Sequence, residues 1–420
     1  MRPTIPLLMP TPIPDIHFDN TDIAFASRSD KELNQSLFLF RLMSFPLLVK
    51  IGTWVTPWAV RNRLPILSLL RNTIFRQFVG GETLLETRTV SDGLHAYGVD
   101  VILDYGVEGK EGEESFEEAT REFIRVIEHA ATCPNIPFIS IKVTGLARFA
   151  LLEKLHALMQ MQKGELTARY PDAIDKLSKQ ESEEWSHVLA RLEMIAAAGS
   201  KNRIGVLIDA EESWIQDPID AVSLVLMAKY NRDRVVVFNT YQLYRHDRLS
   251  FLLDSYGWCV KGGFLLGAKL VRGAYMEKER SRAKRMGYPS PIQPDKFCSD
   301  RDYDAGLAFC VEHLDRIFLM VASHNESSSL YAAKLLGELN RPIDHPHIHW
   351  SQLYGMSDNI TFNLAKAGCS VSKYLPFGPI TDVIPYLMRR AQENTSVRGQ
   401  TSRELNLLKK EKARRRHMSR

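Results

Sequence analysis

Tyr386, Arg389, Arg390 and Glu393 recur at i, i+3, i+4 and i+7, so on a helix they share one face. Glu393 is four residues from Arg389 and three from Arg390, close enough to hold a guanidinium in place. Two adjacent forks are then left to converge on a small carboxylate or a phosphate. A solvated amphipathic helix anchored by Val383, Ile384 and Leu387 accounts for the same spacing. The two readings are separated by what else the chain brings near.

Polar residues stand at the ends of apolar runs along the whole chain: Lys142, Asp209, Asn239, Lys269 with Arg272, His324 with Asn325, and Tyr374. Lys142, Arg389 and Arg390 around one anion would bind a carboxylate, the arginines giving direction and the lysine a point charge. Positive charge beside an amine disfavours its protonated form. An amino acid held there would present a neutral nitrogen, as oxidation at the adjacent carbon requires. Asp209 either orients one of these cations or forms a buried salt bridge. Lys142 and Lys269 lie in apolar runs, so a Schiff-base nucleophile is the rival chemistry. The pair His347 and His349 alternates onto one strand face at the start of a run, away from the polar ends, and is read as structural; no metal is expected. In LVRGAYMEKER, Leu270 to Arg280, a cation, a glycine and an aromatic fall within four residues, which suits a nucleotide-like cofactor or an ordinary strand-to-helix turn.

These positions need elements to carry them. From Val99 onward short apolar runs alternate with helical segments: 99–106, 137–145, 203–212, 234–242, 264–275, 316–325, 347–353 and 369–376. Eight βα units in succession predict an α/β fold, a (βα)8 TIM-like barrel with chemistry at the C-terminal strand ends. No GxGxxG turn follows any strand, so a dinucleotide-binding Rossmann sheet loses its main support. Residues 1–90 read as an N-terminal extension and helical arm closing at Gly80 and Gly81, residues 91–397 as the barrel, and 398–420 as a basic, disordered tail. Pro385 conflicts with a continuous helix, so the last helix is expected to begin near Ile384, capped by Thr381 or Asp382, or to kink.

At 420 residues, 45% hydrophobic, with a formal net charge of +4, the chain is an ordinary globular protein, and its balance does not point to nucleic acid. Five scattered cysteines without a CxxC pair argue against a disulfide framework and for a reducing cytoplasm. The N-terminus is a poor secretory or transit signal. The run Phe38 to Val60 is broken by Arg41, Pro46, Lys50 and Pro57, so it predicts no transmembrane helix and leaves a membrane-surface or core-capping helix open. The tail KKEKARRR offers a second peripheral contact with an anionic membrane.

Taken together, KLVRGAY (269–275), IDAEE (208–212), FNTYQ (238–242), SHN (323–325), QLYGM (352–356) and YLPFG (374–378) with YLMRRAQEN (386–394) resemble the FAD-dependent proline dehydrogenase family. The upstream GGE (80–82) and ILDYGVE (102–108) extend the resemblance over most of residues 80–395. It implies a distorted βα barrel that holds FAD without a Rossmann domain and oxidises L-proline to 1-pyrroline-5-carboxylate, with electrons leaving through a quinone. By analogy Arg389 and Arg390 bind the proline carboxylate with Lys142, Asp209 supports that network, and Tyr374 and Leu353 pack against the ring. Lys269 falls near flavin N5 and Asn239 near the isoalloxazine. Val271, Arg272, Gly273, Ala274 and Tyr275 run along the cofactor, and Ser323, His324, Asn325 and Glu393 complete its contacts. Many bacterial members carry Arg where Lys269 stands and Gln where Asn239 stands; the Lys and Asn forms resemble the branch with the eukaryotic enzymes. Met276 replaces a Trp of some members. The bulk of Tyr374 favours plain proline over a hydroxyl-bearing ring, with a hydroxyproline dehydrogenase of the same fold as the alternative.

Overall fold

The computed structural model describes residues 14–62, 66–106, 111–396 and 400–418. The chain opens with a helical arm: α1 (Thr21–Ala24), α2 (Asp30–Met43), α3 (Pro46–Arg61), α4 (Leu67–Leu70) and, after a π-helical turn, α5 (Arg76–Phe78). Ser29 and Glu32 form a reciprocal capping box that starts α2, and Pro46 opens α3, where its missing N–H costs nothing. Gly80 lets the arm close onto the barrel. Its N–H donates to the Pro376 carbonyl at 2.8 Å, and a Cβ there would lie 2.6 Å from Leu375. Helix α6 (Leu84–His95) follows.

Every expected apolar run contains a strand: β1 (Val99–Tyr105), β2 (Phe138–Ile141), β3 (Gly205–Ile208), β4 (Val237–Gln242), β5 (Leu266–Val271), β6 (Ile317–Ala322), β7 (Ile348–Leu353) and β8 (Val371–Phe377). They pair in parallel and in sequence order, and β8 returns to β1, so the barrel is closed. Buried on both faces, the strands read as near-continuous apolar runs rather than alternating ones.

Helices wrap the outside. Helix α7 (Glu113–Ala131) follows β1; α8 (Phe149–Gln160), α9 (Leu166–Ile174) and α10 (Lys179–Asn202) form the enlarged connection after β2. Then come α11 (Ser213–Tyr230), α12 (Arg248–Gly262), α13 (Met276–Met286), α14 (Lys296–Glu312), α15 (Glu326–Glu338) and α16 (Asp358–Lys366). On α7, Phe116, Thr120, Phe123, Ile127 and Ala130 keep helical spacing and are buried.

The floor of the barrel is aromatic. Phe138, Phe238 and Phe318 meet edge to face with centroids 5.1–5.8 Å apart. Gly205 and Gly267 make room, since a Cβ at the first would strike the Phe138 ring and at the second the Val237 carbonyl.

Two expectations about the end of the chain are corrected. Helix α17 (Ile380–Ser396) begins at Ile380 rather than near Ile384, so Thr381 and Asp382 lie in its first turn and Pro385 lies inside it. The segment expected as a disordered basic tail is a helix, α18 (Gln400–Met418), packed on α2. Leu407 and Leu408 enter the same apolar cluster as Leu37, Phe40 and Phe78, and Arg403, Arg414 and Arg415 pair with Asp19, Asp22 and Asp30 of the opposite end.

Candidate active site

Strand alternation decides which side chains enter the barrel. On β4, Phe238 joins the interior cluster and Tyr241 the outer one. Asn239 therefore faces outward. Its amide donates to Asp220 of α11 at 2.9 Å and it is fully buried there, so the structure does not bring it into the cluster at the barrel mouth.

Above the aromatic floor, the C-terminal strand ends place a chain of alternating charges. Lys142, one residue past β2, lies 3.6 Å from Asp104 of β1 and 3.8 Å from Asp209 past β3. Lys269 of β5 donates to Asp209 at 2.6 Å, and the Tyr374 hydroxyl of β8 donates to the other carboxylate oxygen at 2.8 Å. The Lys269 ammonium also lies 4.9 Å from the Tyr374 ring centroid. Burial alone would raise the Asp209 carboxyl; the charges of Lys269 and Lys142 and hydrogen bonds from Lys269 and Tyr374 outweigh it and hold the group below the usual carboxylate range. Burial and the Asp104 and Asp209 charges push the Tyr374 phenol well up, so it stays a donor. Leu353 of β7 is in register with Tyr374 and packs in the same interior cluster.

The structure thus gathers Lys142, Asp209, Lys269, Tyr374 and Leu353. It adds Asp104, a member of the motif at 102–108 to which no role was given. Its signal was a carboxylate at the C-terminal end of an apolar strand. Glu211 was missed as well: it accepts from the Thr144 N–H and hydroxyl, and burial raises its carboxyl to about 7.

A second group forms around β5 and β6. Arg272 stacks 3.8 Å from the Tyr303 ring centroid, donates to Asp300 at 2.9 Å and Ser328 at 2.7 Å, and reaches Ser323 at 3.3 Å. Ser323 also accepts from the Asn325 N–H, while the Asn325 side chain caps α15. Val271 and Gly273 are half-exposed and Ala274 is exposed. Gly273 takes φ +83°, and Tyr275 caps α13.

His324 shares a hydrogen bond with Ser357 through Nδ1 at 2.8 Å. Burial, with Lys373 and Arg390 nearby, lowers it to about 3, so it is neutral at physiological pH. Arg390 is buried over the Tyr386 ring at 5.1 Å and Arg389 is half-buried. Glu393 falls on the backbone of α17, but its side chain lies outside the described residues. His349 bonds Ser372 and His347 bonds the Leu314 carbonyl, below the mouth.

The proline dehydrogenase family model matches residues 88–403. A hydroxyproline dehydrogenase of Xenopus laevis is 33% identical over 93% of this chain and 88% of its own length. A mitochondrial proline dehydrogenase 1 of Dictyostelium discoideum is 33% identical over 84% of this chain and 66% of its own. Among solved structures, proline utilization A from Bdellovibrio bacteriovorus superposes with a TM-score of 0.66 at 20% identity, covering 91% of this chain. The chain spans about a third (36%) of that structure's length, and the likeness is one of fold. A closed barrel with this order of polar strand ends, matched over most of its length by one family model, makes the chain a member of the proline dehydrogenase family.

Proposed function

We propose that this chain oxidises L-proline to 1-pyrroline-5-carboxylate with FAD as its cofactor and a quinone as the final electron acceptor. The observation that carries the reading is the buried network of Lys142, Asp209, Lys269 and Tyr374 at the C-terminal strand ends of the barrel.

The residues present fit a flavin. Lys269 and Arg272 are held by Asp209 and Asp300, so a cationic rim is fixed before an anionic cofactor arrives. The half-exposed backbone at Val271 and Gly273 turns at the glycine and leaves room for close approach. FAD, when bound, supplies the two-electron acceptor for a hydride from the ring carbon beside nitrogen. The protein does the rest by positioning. Arg389 and Arg390 hold the substrate carboxylate, Leu353 and Tyr374 pack the ring, and the positive charge of Lys142 favours the neutral amine. Both lysines of the rival Schiff-base chemistry are engaged with carboxylates rather than standing alone in an apolar pocket.

Hydroxyproline is the second reading, favoured by the relative of that name. Against it stands Tyr374, whose hydroxyl is held by Asp209 and whose bulk would crowd a hydroxyl-bearing ring. The mitochondrial names of relatives and the quinone acceptor favour the matrix side of a membrane over the cytoplasm.

Titrating the purified flavoprotein with L-proline should bleach the flavin bands at lower concentration than trans-4-hydroxy-L-proline does. Arg389→Met and Arg390→Met should each raise the L-proline needed for bleaching by about 10–100-fold, at the strength of a charge-assisted bond, with flavin content kept. Unchanged proline dependence in both variants would refute the carboxylate assignment.

A further inference from the structure

The loop after β7, Tyr354 to Asp358, is tied down from outside the barrel. It passes so close to the arm that a Cβ on Gly355, which takes φ +79°, would lie 2.0 Å from the Gln77 carbonyl oxygen of α5. The Gln77 side chain donates to the Gly355 carbonyl at 2.8 Å and accepts from Ser36 of α2, whose hydroxyl also accepts from Arg28. Arg28, just before α2, pairs with Asp358 at 2.7 Å. From β8, the buried Lys373 donates to the Met356 carbonyl at 2.6 Å and pairs with the other Asp358 oxygen at 2.9 Å.

The last tie comes from α18. The Ser357 N–H donates to Glu404 at 2.5 Å, and both residues are buried. Ser357 takes φ +51°, a left-handed backbone that serine seldom adopts unless its surroundings hold it there. The same residue's hydroxyl lies 2.8 Å from His324 Nδ1. Arg28, Ser36, Gln77 and Glu404 all fall outside the stretch 88–403 that carries the family match, yet they converge on one loop at the C-terminal face of the barrel. Leu353, which immediately precedes that loop, packs in the interior cluster with Tyr374.

We propose that Glu404 is a positioning residue for the cofactor site: by holding the Ser357 N–H it fixes the hydroxyl that orients the His324 ring for FAD. His324 stands two residues past β6 and next to Ser323, which receives a hydrogen bond from Arg272 of the cationic rim. With Nδ1 engaged by a hydroxyl on a pinned backbone, the ring is set in one orientation before the cofactor arrives. The inference rests on the flavin reading and extends it to a helix beyond the barrel.

The test is FAD affinity of the apoprotein, followed by quenching of flavin fluorescence, with a urea midpoint taken on each variant. Glu404→Ala should weaken FAD binding about 5–10-fold, the size of one hydrogen bond's net contribution. Glu404→Gln keeps an oxygen that can accept from the Ser357 N–H and should bring affinity back to within about twofold of wild type. Ser357→Ala removes the hydroxyl and keeps the backbone bond; it should show the same loss as Glu404→Ala, and it decides the matter if that variant fails to fold. In a His324→Ala background, Glu404→Ala should cost no further affinity, because Glu404 acts through that ring. Unchanged affinity in Glu404→Ala or Ser357→Ala, losses that add in the double variant, or no rescue by glutamine would overturn the proposal. Wild type that binds FAD and is not bleached by L-proline would leave the positioning role standing and refute the enzymatic reading.

Discussion

Asp209 is the residue on which the mouth of the barrel depends, because two lysines and a tyrosine converge on its two oxygens. Asp209→Ala would leave Lys269 buried without its counter-charge and should destabilise by about 3–5 kcal/mol, read as a lower urea midpoint. Tyr374→Phe removes one bond and keeps the bulk of the ring. Discrimination against trans-4-hydroxy-L-proline should therefore persist while kcat falls up to about tenfold, as spectral titration and turnover would show. Asp209 and Tyr374 were legible in the sequence because a polar residue closing an apolar strand has few structural reasons to be there. Asp104 was not, since its partner Lys142 comes within reach only when β1 and β2 pair, and no local pattern announces that register. Asn239 lies apart from that network for the opposite reason. Its motif matched, but with Phe238 inside the barrel the two-residue period sends Asn239 to α11.

At the level of elements, the eight strands were readable because burial on both faces makes each a short apolar block. Helix α18 was unreadable because its stability comes from elsewhere. Read locally, its basic run resembles a solvated tail; in the fold, acids more than 370 residues away neutralise it. The helix also reaches the site indirectly. Glu404 accepts from the Ser357 N–H at 2.5 Å, and Ser357 bonds His324. Leu407→Ala or Leu408→Ala should cost about 2–5 kcal/mol, measured by thermal or urea unfolding, since both are buried against α2.

Across the whole molecule, buried ionisable groups set opposing responses to pH. Burial raises Glu404 and Glu211 to about 7. Such an acid stabilises the fold fully below its unfolded value, near 4.5, and that contribution is lost as pH rises through 7. Burial lowers His324 and His349 to about 3, so their contribution is full above about 6.5 and is lost as pH falls toward 3. Between these limits the two pairs partly cancel. Glu404→Gln removes one side of the balance, and its unfolding free energy should exceed that of wild type by roughly 2–4 kcal/mol at pH 8 and match it near pH 4.5. The meeting of α18 with α1 and α2 has a further consequence for biosynthesis. Helices α1 and α2 leave the ribosome roughly 370 residues before the helix that covers Leu37 and Phe40. Until α18 has been made the helices α1 and α2 lack this cover, so chaperone engagement should concentrate there and end once α18 has emerged.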